Sequence, residues 1–590
     1  MMKRLLHIVL PIIGISALIF PTYIILLSQG YPTMHDDQHI ARMYALVEAM
    51  AHGQWYGRWV QHLVFGLGYP LFNFYPPLTY YISLPFYLLT QEFISSIKLM
   101  MLAGLITGAY GTYLFAKEIS NKWVGIVAAI LYGFFPYRAV LTFVRGAFAD
   151  FWAVSLSPFV YWAILRLSKK VSLGNCILLG ICVGLVILSH QIQVVPMALF
   201  GIPIVGYCLF TTTPKKRFVF LQALVLSGVI GLGTSAFFTL PLFLEKSSTL
   251  VDVLNTSNLY DFHLHFVLPS QLWYSPWGYG GSVAGSGDGM SFQIGKLFIG
   301  GFLLAIGASL FVVIKKRKTI SLWLPLISLL SIFVLIMTTS YSQIIWETLP
   351  FLYYVQFPWR LMGFANIFIP VSIALASRVI LDQVKLGRII KNQYVGVSVV
   401  VGISLLFGYK YGHLFRPQEM RNIDDEYMTS ENKIKWEVSK SSFEFAPNGI
   451  SLSKTPPYGN LFPPIREKDI PIPAVFPSAD VRATVISRIP NHQYYHITNT
   501  GLPTRVRLGT FNFPGWQAKV NDKLVTIYSD NPLQLIEVVI PSGESKIELF
   551  FTDTLIRVIG NTVSLATWTL IGMYFLSQQR SLGRGGKQFK

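Results

Sequence analysis

Twelve apolar stretches limit what this chain can fold into. They cover residues 6–28, 97–116, 123–141, 148–167, 174–189, 194–211, 219–243, 295–314, 321–338, 362–381, 394–409 and 555–577. Most approach the roughly 20 residues that a helix needs to cross the hydrocarbon core of a bilayer. With 53% hydrophobic and 13% charged residues, the composition is that of an integral membrane protein. The first stretch follows Met1-Met2-Lys3-Arg4, is long enough to span, and has no small-residue cleavage site, so it reads as a signal-anchor helix.

The formal charge of +19 would suggest nucleic acid in a soluble chain. Here the basic residues flank the apolar stretches: Lys3, Arg4, Lys117, Lys122, Lys169, Lys170, Lys215, Lys216, Arg217, Lys315-Lys316-Arg317-Lys318, Lys385, Arg388, Lys391, Arg580, Arg584, Lys587 and Lys590. Only Glu118 and Asp382 oppose them in those segments. The positive-inside rule therefore accounts for nearly the whole excess, and no nucleic-acid partner is implied. The three cysteines, Cys176, Cys182 and Cys208, sit in apolar stretches, so no disulfide framework is expected.

Placing every basic cluster in the cytoplasm fixes a parity. A further crossing at 78–89 would put Lys169, Lys170 and all later clusters outside. That segment is short, contains Pro85 and follows Pro76-Pro77, so it is expected to insert only partly or to lie in the interface. The expectation is a multi-pass cell-membrane protein with about 12 transmembrane helices and both termini cytoplasmic. Loops 30–96, 142–149, 245–293 and 339–361 then share the outer face. Residues 1–409 would form the membrane domain, and 553–590 the last helix with a basic tail.

Residues 410–552 are charged and proline-rich. Arg416 to Pro477, with Pro456-Pro457 and Pro463-Pro464, reads as an irregular linker. Beyond it, Trp516 to Val520 alternates, Asn521-Asp522 turns the chain, and Leu524 to Tyr528 and Ser545 to Leu549 follow, which predicts a small extracytoplasmic β-sandwich. Trp516 is either a core residue of that domain or a ring that stacks on a sugar.

The outer loops hold the polar chemistry. The first carries Asp36-Asp37 with His35, His39, His52, Arg42 and Arg58, then Gly53-Gln54-Trp55 and the run Tyr69-Pro70-Leu71-Phe72-Asn73-Phe74-Tyr75-Pro76-Pro77-Leu78. Polar groups this dense at a membrane surface are costly unless they face a cavity or substrate. Gln38 to Ala51 reads as an interfacial helix with Ile40, Met43, Tyr44, Val47 and Met50 on one face. Two abutting carboxylates repel, so one needs a proton, a cation or a metal. Alternatively, Asp36 merely caps the helix. The second loop places Arg145 near Asp150, which could be no more than a local ion pair. In the third, Asp261-Phe262-His263-Leu264-His265 reads as an extended segment with three polar groups on one side, an incomplete metal site or simply interfacial histidines. The glycines after Trp277 lack the strand–helix context of a phosphate cradle, so nucleotide binding is not expected. The fourth loop contains Glu347 and Gln356-Phe357-Pro358-Trp359-Arg360.

The acidic pair, the interfacial helix and the Tyr-Pro-Pro-Leu run resemble the first outer loop of the GT-C glycosyltransferases, polytopic enzymes that use polyprenyl-phosphate-linked sugars. His35-Asp36-Asp37-Gln38-His39, the Tyr69 to Leu78 run and Gln356 to Arg360 more closely resemble the membrane-protein family labelled 6-pyruvoyl-tetrahydropterin synthase related, akin to YfhO-like proteins. No separate soluble domain with a His-based metal site accompanies that label. Phe513-Pro514-Gly515-Trp516 resembles the end domain of the YfhO-like proteins.

The resemblance implies a GT-C-like α-helical membrane fold and displacement at an anomeric carbon. An acceptor hydroxyl attacks and a polyprenyl phosphate leaves. Asp36 matches the first acid of the GT-C pair and would be the general base. Asp37 would orient the acceptor or bind a metal. Asp150 stands where oligosaccharyltransferases carry a second acid, although it is single here. Arg360 would hold the leaving phosphate, with His39, Arg58 and Arg145 as further candidates. A divalent cation, Mg or Mn, is an open expectation at Asp37 and Asp150. The implied partners are a polyprenyl-phosphate sugar donor, the bilayer, and a glycan, lipid or protein acceptor. The alternatives are a lipid-linked-saccharide flippase, for which the spans hold few charges, and a non-catalytic scaffold.

Overall fold

The computed structural model describes residues 2–54, 56–255, 260–315, 322–384, 393–455, 460–462, 465 and 479–585. Trp55, Pro456-Pro457, Pro463-Pro464, Lys316, Arg317, Lys318, Lys385, Arg388, Lys391, Lys587 and Lys590 lie outside them.

Eight helices among the described residues are long and apolar enough to cross a membrane, and ten spans result if each of two bent helix pairs is one span. The stretch at 174–189 matches a shorter apolar helix, Leu173–Ser189, whereas the one expected over 6–28 is α-helical only to Leu18 and goes on as 3₁₀ turns over Phe20–Thr22 and Ile24–Leu27. The protein is thus a mostly helical membrane protein, with a β-sheet region near its C-terminus. Helix starts follow local chemistry. The Asn121 side chain accepts from the amides of Trp123 and Val124 to open Lys122–Gly133, and Ser172 accepts from Asn175 to open Leu173–Ser189. At Leu78–Thr90 the helix has 13 residues. At about 1.5 Å per residue it is roughly 20 Å long, short of a core about 30 Å thick.

The chain divides into two compact units. The first comprises Met1–Asp37, Ser95–Thr234 and Asp261–Asn422; the second comprises Gln38–Ile94, Ser235–Tyr260 and Ile423–Lys590. In the first unit the helix Phe148–Lys169 is the most enclosed candidate span, with 89% of its apolar window buried. It packs on Leu173–Ser189 and Val194–Thr211. Its neighbour Lys122–Gly133 breaks at Pro136, and the chain turns by 54° into Pro136–Val144. Proline cannot donate an amide and drives Phe135 before it into an extended conformation, so the break falls there. The fully buried Arg138 lies over the Phe151 ring at 3.9 Å and donates to Gly104 O and Ser155 Oγ.

Among the described residues the second unit holds a short antiparallel pair, Ser453–Thr455 with Asn460–Phe462, and a run of seven further strands: β1 (Val481–Ile489), β2 (His492–Asn499), β3 (Thr504–Phe511), β4 (Trp516–Val520), β5 (Lys523–Val525), β6 (Leu535–Ile540) and β7 (Gly543–Phe551). One antiparallel sheet has the order β1-β2-β7-β4-β5, and β6 pairs with β3 in another. Along β4, Trp516, Ala518 and Val520 are buried while Gln517 is exposed. Asn521 and Asp522 both have positive φ, as a two-residue hairpin turn requires, and they join β4 to β5. Thr510 of β3 donates to Gln493 of β2 at 2.9 Å, tying the two sheets together. Trp516 meets Trp59 edge-on at 5.2 Å and Phe551 at 5.3 Å. It is therefore a core residue, and its ring is not free to stack on a sugar.

Two expectations need correction here. The stretch from Arg416 is not wholly irregular: Asp424 caps a helical turn, Asp425–Thr429, and further turns follow over Lys433–Lys440. The helix His39–Ala51 buries Ile40, Met43 and Leu46 with several alanines, whereas Tyr44, Val47 and Met50 are only half-buried. Its buried face includes Arg42, which bonds Ser442 and Glu444 in the same unit.

Candidate functional site

The chain reverses between Pro136–Val144 and Phe148–Lys169 at Gly146, where φ is +64° and an added Cβ would collide with the Met34 side chain. Only glycine fits both demands. That close approach lays the segment before the acidic pair along the turn. The His35 amide donates to Val144 O and the Asp36 amide to Arg145 O, each at 2.9 Å. Asp36 does not cap the following helix: Gln38 occupies the N-cap position, with no side-chain cap bond.

Below this turn, Asp150 is the centre of a charge cluster. Its side chain is 3% exposed. Arg145 Nη2 lies 3.0 Å and Arg360 Nε 3.4 Å from Oδ2. Gln193 Nε2 donates to Oδ1 at 2.9 Å, and His190 Nε2 is 3.5 Å away. Arg145 lies over the Trp359 ring at 4.5 Å, and Arg360 donates to Val355 O and Gln356 Oε1. Burial alone would weaken the Arg145 charge; Tyr137, Asp150 and Asp36 more than offset it, and its pKa is raised. Asp36 Oδ1 is 2.8 Å from His35 Nδ1, and this bond is the main reason that the exposed imidazole has a raised pKa. The structure therefore brings Asp36, Arg145, Asp150 and Arg360 together.

Asp37 accepts from Tyr31 Oη at 2.6 Å. Tyr31 is held in turn by pairing with Arg421. Among the described residues no group of three or more His, Cys, Asp or Glu is placed to hold a metal. Both oxygens of Asp150 face nitrogen atoms of Arg145, Arg360, Gln193 and His190, so the residues present do not fit a divalent cation there. His39 and Arg58 belong to the second unit. His39 is buried against Tyr80 Oη at 3.2 Å. Arg58 is occupied by Asp553, Asn73, Asn561 and the Phe237 carbonyl.

The family model described as 6-pyruvoyl-tetrahydropterin synthase related domain, membrane protein, matches residues 72–409, more than half of the chain. This chain belongs to that family. No curated protein matches it. Among solved structures, this 6-pyruvoyl-tetrahydropterin synthase related protein is similar to the oligosaccharyltransferase of Archaeoglobus fulgidus in the apo form. The identity is 14%, over 70% of this chain and 55% of that one, with a TM-score of 0.39. ArnT from Cupriavidus metallidurans bound to undecaprenyl phosphate has 18% identity over 68% of this chain and 77% of its own, with a TM-score of 0.37. The Archaeoglobus fulgidus AglB in complex with an inhibitory peptide and a dolichol-phosphate has 13% identity over 72% and 56%, with a TM-score of 0.39. The chain spans little more than half the length of the archaeal enzyme, and a likeness this loose carries no chemistry.

The third-loop histidines of this 6-pyruvoyl-tetrahydropterin synthase related protein do not share a face. Phe262–His265 is a 3₁₀ turn, not an extended segment, and at about three residues per turn positions two apart diverge. His265 is buried, with Nδ1 3.1 Å from Ser282 Oγ. His263 instead bridges Asp261 Oδ1 at 2.6 Å and Glu347 Oε1 at 3.2 Å, clasping the third and fourth loops. Burial is the largest single influence and lowers the His263 pKa, but the bonds and charges of the two carboxylates together outweigh it and raise it. Glu347 is held below the usual carboxylate range, first by Gln343 and then by His263. The histidine's contribution is complete below the ordinary value near 6.5 and is lost as pH rises through the raised one, while the carboxylate's is lost only in acid. Hydrogen exchange over residues 340–357 should therefore accelerate on the alkaline side. His263→Gln should abolish that step.

His190 and Gln193 were not legible as site residues. Ser189-His190-Gln191-Ile192-Gln193 sits between apolar stretches and reads as a helix end. The only signal was a short polar break, with His190 and Gln193 three apart, between two apolar stretches.

Proposed function

We propose that this protein is a membrane glycosyltransferase that moves a sugar from a polyprenyl-phosphate-linked donor to an acceptor hydroxyl on the outer face of the cell membrane, with inversion at the anomeric carbon. One observation carries the reading: a solvent-accessible carboxylate, Asp36, is fixed by its own amide to the turn whose Arg145 side chain is buried with Arg360 around Asp150. Transfer needs a proton acceptor on one side of the anomeric carbon and positive charge on the other. The acceptor hydroxyl forms the new bond to that carbon and gives its proton to Asp36. The bond to the phosphate oxygen breaks with its electron pair, and the polyprenyl phosphate leaves against Arg145 and Arg360. Asp37, held by Tyr31, orients the acceptor. Asp150 keeps the two guanidinium groups together before the phosphate arrives.

Purified protein incubated with synthetic polyprenyl-phosphate sugars should release free lipid phosphate in an acceptor-dependent way; no release with any hexosyl donor would remove the reading. Arg360→Lys should keep part of the affinity for lipid phosphate, because the charge survives and the planar fork does not. Arg360→Ala should lose much more. Wild-type affinity in Arg360→Ala would take Arg360 out of the site.

The proposed topology has its own test. Reporters fused after Tyr31, Gln91, Asp261 or Trp516 should read as external, and those after Lys170 or Lys216 as internal. A cytoplasmic signal at Gln91 would mean that residues 78–89 cross.

A further inference from the structure

Asp150 fixes two neutral side chains as well as two cations. A carboxylate only accepts, so the nitrogens turned towards it carry the protons: Nε2 of Gln193 and Nε2 of His190. This orientation leaves Gln193 Oε1 and His190 Nδ1 as lone-pair acceptors facing elsewhere. Both are buried without a hydrogen-bond partner among the described residues, as is Oε1 of Gln191 on the same short turn. Gln193 itself is 1% exposed. Burial, outweighing the charge of Asp150, pushes the His190 pKa down to about 4, so near neutrality the ring offers a lone pair and not a second proton. On the other side of the cluster two donors are also buried and unpartnered: Nη1 of Arg145, and Nε1 of the Trp359 over which it lies.

Buried polar atoms left unpaired are costly, and five on the partners of Asp150 and the residues next to them exceed what a folded core tolerates without a reason. The acceptors would repel a phosphate. A hydroxyl both donates and accepts at one oxygen and is the natural complement of such a mixed set. We infer that His190, Gln191 and Gln193 form a subsite that recognises the hydroxyl groups of the donor's sugar headgroup, beside the arginines assigned to its phosphate. The inference rests on the proposed transferase reading and adds to it a division of labour: arginines for the phosphate, the 190–193 turn for the sugar.

The test compares the affinity of the full-length protein for naked polyprenyl phosphate with that for its glucosyl, galactosyl and mannosyl conjugates. The wild type should prefer one sugar-bearing lipid by about tenfold or more, as a site built to bond hydroxyls does. Gln191→Leu and His190→Phe should cut that preference about tenfold and leave naked-lipid affinity within about twofold, which also reports that the variants are folded. A donor lacking one hydroxyl should lose the preference on the unaltered protein, so the test stands even where a variant does not fold. An unchanged preference in all three cases overturns the inference. If the wild type binds no lipid phosphate at all, the transferase reading falls separately. The subsite is then read from stabilisation by methyl hexosides: a response lost in Gln191→Leu supports it, and no response from the wild type sinks it.

Discussion

Asp36→Asn is expected to lower sugar transfer by about 100- to 10,000-fold, the usual cost of removing a general base, while donor binding stays nearly constant. The amide keeps the shape of the side chain and can still face His35, and the backbone bond from residue 36 to Arg145 O is untouched. What it cannot do is take the acceptor's proton. The expected signature is thus a fall in kcat with little change in lipid-phosphate affinity, since the donor's charge rests on Arg145 and Arg360. Asp37→Asn should be milder: Tyr31 can still donate to the amide oxygen, and only the orientation of the acceptor suffers. Full transfer in Asp36→Asn would end the catalytic assignment.

Asp150→Asn is expected to damage stability and activity together. Removing one partner from a buried ion pair costs about 3–5 kcal/mol, chiefly because the remaining charge stays buried. Here two guanidinium groups would be left facing each other, each about one-tenth exposed. The melting temperature in detergent should drop clearly, and transfer should fall with it. Restoring the original net charge in Asp150→Asn/Arg145→Gln should recover much of the stability and none of the activity, because these neighbours share one network and their effects do not add. If the double variant melts no higher than the single one, charge balance is not what holds the cluster.

Hydropathy and basic flanks made the membrane helices legible because long apolar runs and lysine placement act locally along the chain. The hairpin at Asn521-Asp522 was legible for the same reason: alternation and turn residues are nearest-neighbour signals. The charge cluster was legible only in part. Asp36, Arg145, Asp150 and Arg360 stand out singly, yet nothing in their spacing says that residues 36, 145, 190, 193 and 360 meet; that is a property of helix packing. His39 and Arg58 follow Asp36 closely in sequence but belong to the second unit, where His39 meets Tyr80 and Arg58 pairs with Asp553. His263 and His265 failed as a pair because a 3₁₀ turn replaced the expected extended segment.

The turn Val140–Val144 is π-helical, and the Arg145 amide donates to Val140 O, five residues back, at 2.8 Å. Such a turn carries one residue more than the α-helix would. Excising a single residue there would allow ordinary winding and rotate everything after it by about 100°. The Arg145 carbonyl would swing away from the Asp36 amide with every side chain at the site unchanged. The separation between base and cation is therefore written in residue count: point substitutions through 140–144 would report packing alone, and a one-residue deletion would uncouple the two halves of the chemistry.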